Sequence, residues 1–458
     1  MTAQSEPKAP LDTSIRNLLR IAVPISLGSL VQFLVVLTDN FFLSRAGELE
    51  INGAGNAALV YLTFVMAIVG GSAGIQILVA RFQGKGDDES KARAARAGRA
   101  GMFVIGVILA AIALGVNALG GWGILVQHDE VREVFLSFLS IRAWGLIPFA
   151  ILMAAEGDWI GQAKSWPILA LAGTMALTNM VLDAMWVEGL WGGTAMGADG
   201  AAYASLVAES VGALVAWQLS ARIIHPASYA GMSPLSQELF RQWWRLSSPV
   251  MAQFMLTIAT WTSFFFFVER VGMLELKVSH ITRNSFMLAS VVCMGLGQTA
   301  RTVVSTLLGE GRPEAIVPVV WKLTALTYLG VWVLTHGYLL YPNHLARLFF
   351  DTTEGIEAMA DTLFTAFVAL QLYALSAILI ALLQGAGFTK AVFVIELTTV
   401  LIYMVSAYAL TLVWPQTIDV IWRADWVYFG GMVVGGLWGI WKLPWRIGHA
   451  SLKAESGT

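Results

Sequence analysis

GAGNAALVYLTFVMAIVGGSAGIQILVA, residues 53–80, runs for 28 positions without a charged side chain. A helix rises about 1.5 Å per residue, so about 20 apolar residues cross the hydrocarbon core of a bilayer. The stretch is therefore long enough to span. Working outward, residues 21–38, 100–127, 246–268, 323–346, 362–389 and 397–418 are also free of charge. Shorter or interrupted apolar stretches lie at 134–157, 166–187, 200–221, 278–306 and 426–444. Together they predict twelve transmembrane helices, although Arg142, Glu209 and Arg283 fall inside proposed spans.

Composition agrees. Of 458 residues, 57% are hydrophobic and 13% charged, against about 25% charged in soluble chains. Mean hydropathy is +0.69. These values exclude a soluble enzyme of this size, a disordered chain and a coiled coil. A net charge of −2 argues against a nucleic-acid partner. A single cysteine, Cys293, excludes an intrachain disulfide framework. Residues 1–17 are polar, and the apolar stretch after them is too long for a leader and lacks a small-residue cleavage site. It reads as a retained first span.

Lysine and arginine set the topology. With the N-terminus placed in the cytoplasm, 20 of the 28 fall on cytoplasmic segments and 6 on external ones. That bias predicts both termini in the cytoplasm and a multi-pass protein of the cell membrane, the inner membrane in a Gram-negative cell.

The chain also repeats. At a shift of 225, Pro24 meets Pro249, Phe41 and Phe42 meet Phe266 and Phe267, Gly47 meets Gly272 and Glu50 meets Glu275. Gly70, Gly84 and Gly86 meet Gly295, Gly309 and Gly311. At a shift of 226, Gly161 meets Gly387 and Lys164 meets Lys390. Six helices per half is an even number, so both halves insert the same way up as a parallel repeat. The expected fold is an all-α integral membrane protein, with twelve transmembrane helices in two pseudo-symmetric six-helix lobes. The expected boundaries are a cytoplasmic tail at 1–17, an N-lobe at 18–221, a linker at 222–243, a C-lobe at 244–446 and a second tail at 447–458. Two such lobes suit a transporter. Duplication in a structural or enzymatic membrane protein is the alternative.

Polar residues inside spans carry the chemical information, because an aspartate at a helix centre costs about 2.5–3.5 kcal/mol on insertion scales. Asp39 lies fifteen residues after Pro24, and its repeat partner is Phe264. Asn179 and Asp183 stand at i, i+4 on helix 5, so they share a face; at the shift of 226 their partners are Val405 and Ala409. The polar set is thus confined to the first half. An interfacial aspartate and hydrogen-bonded helix glue are the plainer readings. Ser205 and Glu209 repeat the i, i+4 spacing on helix 6, with Arg142 as a partner for Glu209. Glu156 and Asp158 stand near the cytoplasmic end of helix 4 and read as solvated. In the second half, Arg283 and Glu396 form an expected pair, with His280 nearby. Phe264–Phe267 line either a drug cavity or a packed face.

No GxxxxGK[ST] or HExxH occurs. Nothing supports an enzyme or a cofactor, and an ion gradient is left as the energy source.

Several strings resemble the multidrug and toxic compound extrusion (MATE) family over nearly the whole chain. They are P-x7-Q-x6-D at Pro24, Gln32 and Asp39; LVARFQGKGD at 78–87; TNMVLD at 178–183 followed by GADGAAYAS at 197–205; VSH at 278–280; and LLGEGR at 307–312. The resemblance implies an antiporter that exports organic cations or amphipathic drugs in exchange for protons or sodium. It maps a cation site onto Asp39, Asn179 and Asp183, with the helix 6 hydroxyl near Ser205 and Gln32, Glu209 and Glu156 as accessory candidates. The acidic residues that another branch carries in helices 7 and 10 fall here at Leu256 or Thr257 and at Tyr373, which favours the branch that resembles DinF. Helix 4 departs as well, with Gly161-Gln162-Ala163-Lys164 in place of G-D-T-[RK]. The coupling ion is expected to be H+, with Na+ as the alternative because both want the same acidic oxygens. Expected partners are a small amphipathic or cationic substrate and membrane lipid, around a monomer. A lipid-linked oligosaccharide flippase of the wider superfamily is the rival reading, disfavoured by the acidic signature. A membrane enzyme is a weaker one.

Overall fold

The computed structural model describes residues 10–126, 128–224 and 235–447. Residues 1–9 of the expected first tail, 225–234 of the expected linker and 448–458 of the expected second tail lie outside the described residues. Among the described residues twelve helices are 19 or more residues long. They are α1 (Ile15–Ala46), α2 (Glu48–Lys85), α3 (Asp88–Ala118), α4 (Asp129–Gly161), α5 (Trp166–Trp186), α6 (Gly197–Leu219), α7 (Gln237–Glu269), α8 (Met273–Gly309), α9 (Ile316–Leu340), α10 (Thr353–Gly385), α11 (Thr389–Tyr408) and α12 (Ala424–Lys442). Eleven meet the length and hydropathy of a membrane span. The twelfth, α12, is 19 residues long, and Asp425 together with its glycines and tryptophans lowers its hydropathy. At 38 and 37 residues, α2 and α8 outrun the bilayer core.

The helices pack as two compact units, each discontinuous in sequence. Of the described residues, one takes those within 1–26, 84–86 and 256–458, and the other those within 27–83 and 87–255. Thus α1 passes from one unit to the other two residues after Pro24, and α7 does so six residues after Pro249.

Each unit holds the same close approach. A Cβ on Gly70 of α2 would fall 2.6 Å from the Met251 Cα of α7. In the other unit, a Cβ on Gly295 of α8 would fall 1.9 Å from Ser26 Oγ of α1. The repeat of 225 carries Gly70 to Gly295 and Ser26 to Met251, so the two contacts are equivalent. The turns after α2 and α8 match too. Asp87 N donates to Phe82 O at 3.1 Å and Arg312 N to Leu307 O at 2.9 Å. Gly86 and Gly311 supply φ of +69° and +70°, the left-handed step at which glycine ends a helix.

The pairing at 226 is corrected. A Cβ on Gly161 would meet Gln76 O and Val79, whereas one on Gly385 would meet Arg301 O and Val304. Residues 76 and 79 map to 301 and 304 under the shift of 225, so Gly161 corresponds to Gly385 and the local shift is 224. The positive-φ residue of the turn is Ala163 in one half and Gly387 in the other, which is why glycine identity misled the alignment. The counterparts of Asn179 and Asp183 become Tyr403 and Ala407.

Tryptophan N–H groups in these interiors are satisfied. Trp159 donates to Ser220 Oγ, Trp243 to Gly71 O, and Trp422 to Ser279 Oγ, at 2.9–3.2 Å.

Candidate ion site in the first repeat

Small residues bring the site's helices together. A Cβ on Gly28 of α1 would lie 2.8 Å from the Ile168 side chain of α5. Gly212 of α6 sits equally close to Met175 of α5 and Leu152 of α4. With these backbones in contact, short polar side chains on α1, α5 and α6 meet. Asn179 and Asp183 are buried, at 1% and 0% exposure, on the face that their spacing defines. Asp39 and Ser205 are half-buried. The Asp39 carboxyl faces Asp183, Asn179 and Ser205. Asn179 Nδ2 donates to Ser205 Oγ at 3.5 Å.

Four oxygens in this cluster are buried and accept no hydrogen bond from the described residues. They are Asp39 Oδ1, Asn179 Oδ1 and both carboxyl oxygens of Asp183. Buried acceptors are ordinarily paired, and leaving one unpaired costs about 1–3 kcal/mol. A group of four acceptors around two facing carboxyls is a donor set for a proton or a small cation, since hard cations take oxygen ligands.

Beside it stands a buried ion pair. Arg142 of α4 meets Glu209 of α6 through two bonds, at 2.7 and 3.1 Å. Tyr61 of α2 donates to Glu209 at 3.3 Å, and its ring lies 4.1 Å from the guanidinium carbon. Gly145, one turn along α4, leaves room for the cluster. A Cβ there would fall 2.3 Å from Glu209 Oε2. The Arg142 charge also acts on Asp39 and Asp183.

The other sequence candidates are placed differently. Gln32 is exposed on α1, and Glu156 is half-buried on α4. Neither hydrogen-bonds to the cluster among the described residues. The solvated reading of Asp158 is corrected, because it is 0% exposed, accepts from Gln162 Nε2 at 2.8 Å and pairs with Arg99 at 3.5 Å. The Arg283–Glu396 pair is also corrected. Glu396 accepts from Thr257 at 2.9 Å and from the Tyr428 hydroxyl, while Arg283 lies over the Phe265 ring at 4.6 Å. Tyr61 and Gly145 were missed. A tyrosine within a span carries no charge to mark it, and the need for glycine at 145 depends on what α6 places there.

Twelve long helices in two sequence repeats, eleven of them long and apolar enough to cross a bilayer, define a multi-pass membrane protein of the transporter class. Residues 24–185 and 249–409 each match the MatE family, so the chain belongs to that family. The two matches begin at the α1 and α7 prolines, 225 residues apart, and end 224 apart, the same two shifts that the packing gives. The chain is 25% identical to the probable multidrug resistance protein NorM of Bradyrhizobium diazoefficiens, over 78% of this chain and 76% of that one. It is 24% identical to the protein of the same name from Pseudomonas putida, over 97% and 98%. Its fold matches the crystal structure of MATE in complex with MaL6 with a TM-score of 0.84, at 18% identity over 93% of this chain and 95% of that one.

Proposed function

We propose that the chain is a secondary antiporter that exports cationic or amphipathic small molecules in exchange for an inward-moving cation, by alternating access. The multidrug resistance names of its relatives support the substrate class. The observation that carries the coupling site is the set of four buried, donorless oxygens on Asp39, Asn179 and Asp183. Two facing carboxylates repel, and the repulsion is strong in a low-dielectric interior. A cation between them removes it. Asp39 sits on α1, so loading and releasing that cation changes the packing of α1 against α5 and α6 and alternates the substrate's access. Ser205 contributes a hydroxyl. Gln32, Glu209 and Glu156 are accessory at most, since Glu209 is already engaged by Arg142.

The coupling ion is the proton. The second half carries Leu256 or Thr257 and Tyr373 where another branch of the family has further acids, so the chain offers fewer charged oxygens for a metal cation. The protein resides in the cell membrane as a monomer, and the lysine and arginine bias supports placing both termini in the cytoplasm.

The test is efflux of ethidium from proteoliposomes with each gradient imposed separately. Efflux is expected with a proton gradient and no sodium, and it should be lost in Asp39→Asn and Asp183→Asn but kept in Phe264→Leu. Full efflux in both carboxylate variants at equal incorporation sinks the site. Efflux driven only by sodium sinks the proton and leaves the antiporter.

A further inference from the structure

The second sequence half holds three cationic or titratable side chains on one side of α8. Lys277, His280 and Arg283 follow at i, i+3 and i+6. None has a carboxylate partner among the described residues. Lys277 Nζ donates to the Phe349 carbonyl at 3.4 Å and lies 4.4 Å from the Phe350 ring. The His280 ring stacks on Phe265 at 5.1 Å, with the planes 17° apart. Arg283 packs on the same ring at 4.6 Å, and its Nε is buried with no hydrogen bond. The acid that the sequence offered as its partner, Glu396, instead accepts from Thr257 and Tyr428.

An arginine in a membrane span is costly and is ordinarily paired or turned toward a functional path. Here an aromatic ring supports the guanidinium but satisfies none of its N–H donors. An open cavity of about 610 Å³ adjoins this stretch. Met273, Leu274, Leu276 and Ile281 line it together with Lys277 and His280, and its wall is almost wholly apolar. The combination selects by chemistry. The N–H donors of Arg283 call for a carboxylate or phosphate, while the Phe265 ring of α7 and the apolar wall one turn away on α8 call for a hydrocarbon or aromatic body.

We propose that Arg283, with His280 and Lys277, forms a binding position for the anionic head of an amphipathic molecule, a carboxylate or phosphate on an apolar body. The position is separate from the acidic cluster in the first half and does not depend on the coupling ion assigned there. A transported acid and an anionic lipid share this head-group chemistry.

The experiment uses the full chain in phosphatidylcholine nanodiscs, with 1-naphthoate as probe and 1-naphthylmethylammonium as its cationic counterpart, measured by calorimetry. Naphthoate should bind. Arg283→Gln and Arg283→Leu should each weaken it about tenfold or more, the equivalent of one charge-assisted hydrogen bond. Arg283→Lys should retain most of the affinity, and the ammonium probe should not respond to these changes. Discs in which one lipid in five is phosphatidylglycerol then separate the sources. Competition with naphthoate assigns the position to a lipid head group, and absence of competition assigns it to a soluble acid. Unchanged naphthoate affinity in both neutral variants overturns the proposal. So does the absence of naphthoate binding together with equal thermal shifts of parent and Arg283→Gln on adding phosphatidylglycerol.

Discussion

Replacing Glu209 by leucine removes the acid from a buried pair whose partners are each 9% exposed. Arg142 then loses both of its bonds, at 2.7 and 3.1 Å. Truncating one member of a buried pair costs about 3–5 kcal/mol, because the remaining charge is stranded. The Tyr61 ring, 4.1 Å from the guanidinium carbon, still returns about 0.5–2 kcal/mol of that attraction. The net loss for Glu209→Leu is therefore about 3 kcal/mol. Arg142→Leu strands the carboxylate instead, with only the Tyr61 hydroxyl at 3.3 Å, and should cost at least as much. The double variant Arg142→Leu/Glu209→Leu strands no charge and fills the space with apolar volume, leaving only the Tyr61 hydroxyl without its acceptor, so it should lie within about 2 kcal/mol of the parent. The coupling between the two sites is then about 4 kcal/mol or more. Reversible unfolding in mixed dodecyl maltoside and SDS micelles, followed by tryptophan fluorescence, measures all four corners of the cycle. Single variants that each lose less than about 1 kcal/mol would refute the reasoning, as would a double variant that loses as much as the two singles combined.

Gly86→Ala and Gly311→Ala should each cost about 1 kcal/mol, because both positions hold φ near +70°, and the two losses should agree within a few tenths in the same unfolding assay; a loss at only one site breaks the structural equivalence of the two turns. Gly145→Ala should destabilise more than either, since its Cβ meets the Glu209 carboxylate at 2.3 Å, and its cost should shrink in the Arg142→Leu/Glu209→Leu background. Reporter fusions at Lys91 and Glu238 should report the same side of the membrane, opposite to fusions at Arg132 and Arg347; one reporter on the wrong side undoes the assignment of six helices per half.

The sequence by itself determined the twelve-helix class, the duplication and the residues of the acidic cluster. Those readings rest on local facts: bilayer thickness fixes the length of a charge-free run, and a charge inside such a run is too costly to be incidental. The i, i+4 spacing put Asn179 and Asp183 on one face before any neighbour was known. What each polar residue touches was decided only by the tertiary structure. Glu396 looked like the natural acid for Arg283, yet the packing of α7 and α12 gave its carboxyl to Thr257 and Tyr428 and left Arg283 on an aromatic ring. Asp158 looked solvated from its place near a helix end, and α3 supplied Arg99 to hold it in the interior. The passage of α1 between units just after Pro24 and the one-residue slip from 225 to 224 between Gly86 and Gly161 also depended on the packing. Both depend on which backbones come into contact, and contact between distant helices is a property of the fold as a whole, which no periodicity within a single segment records.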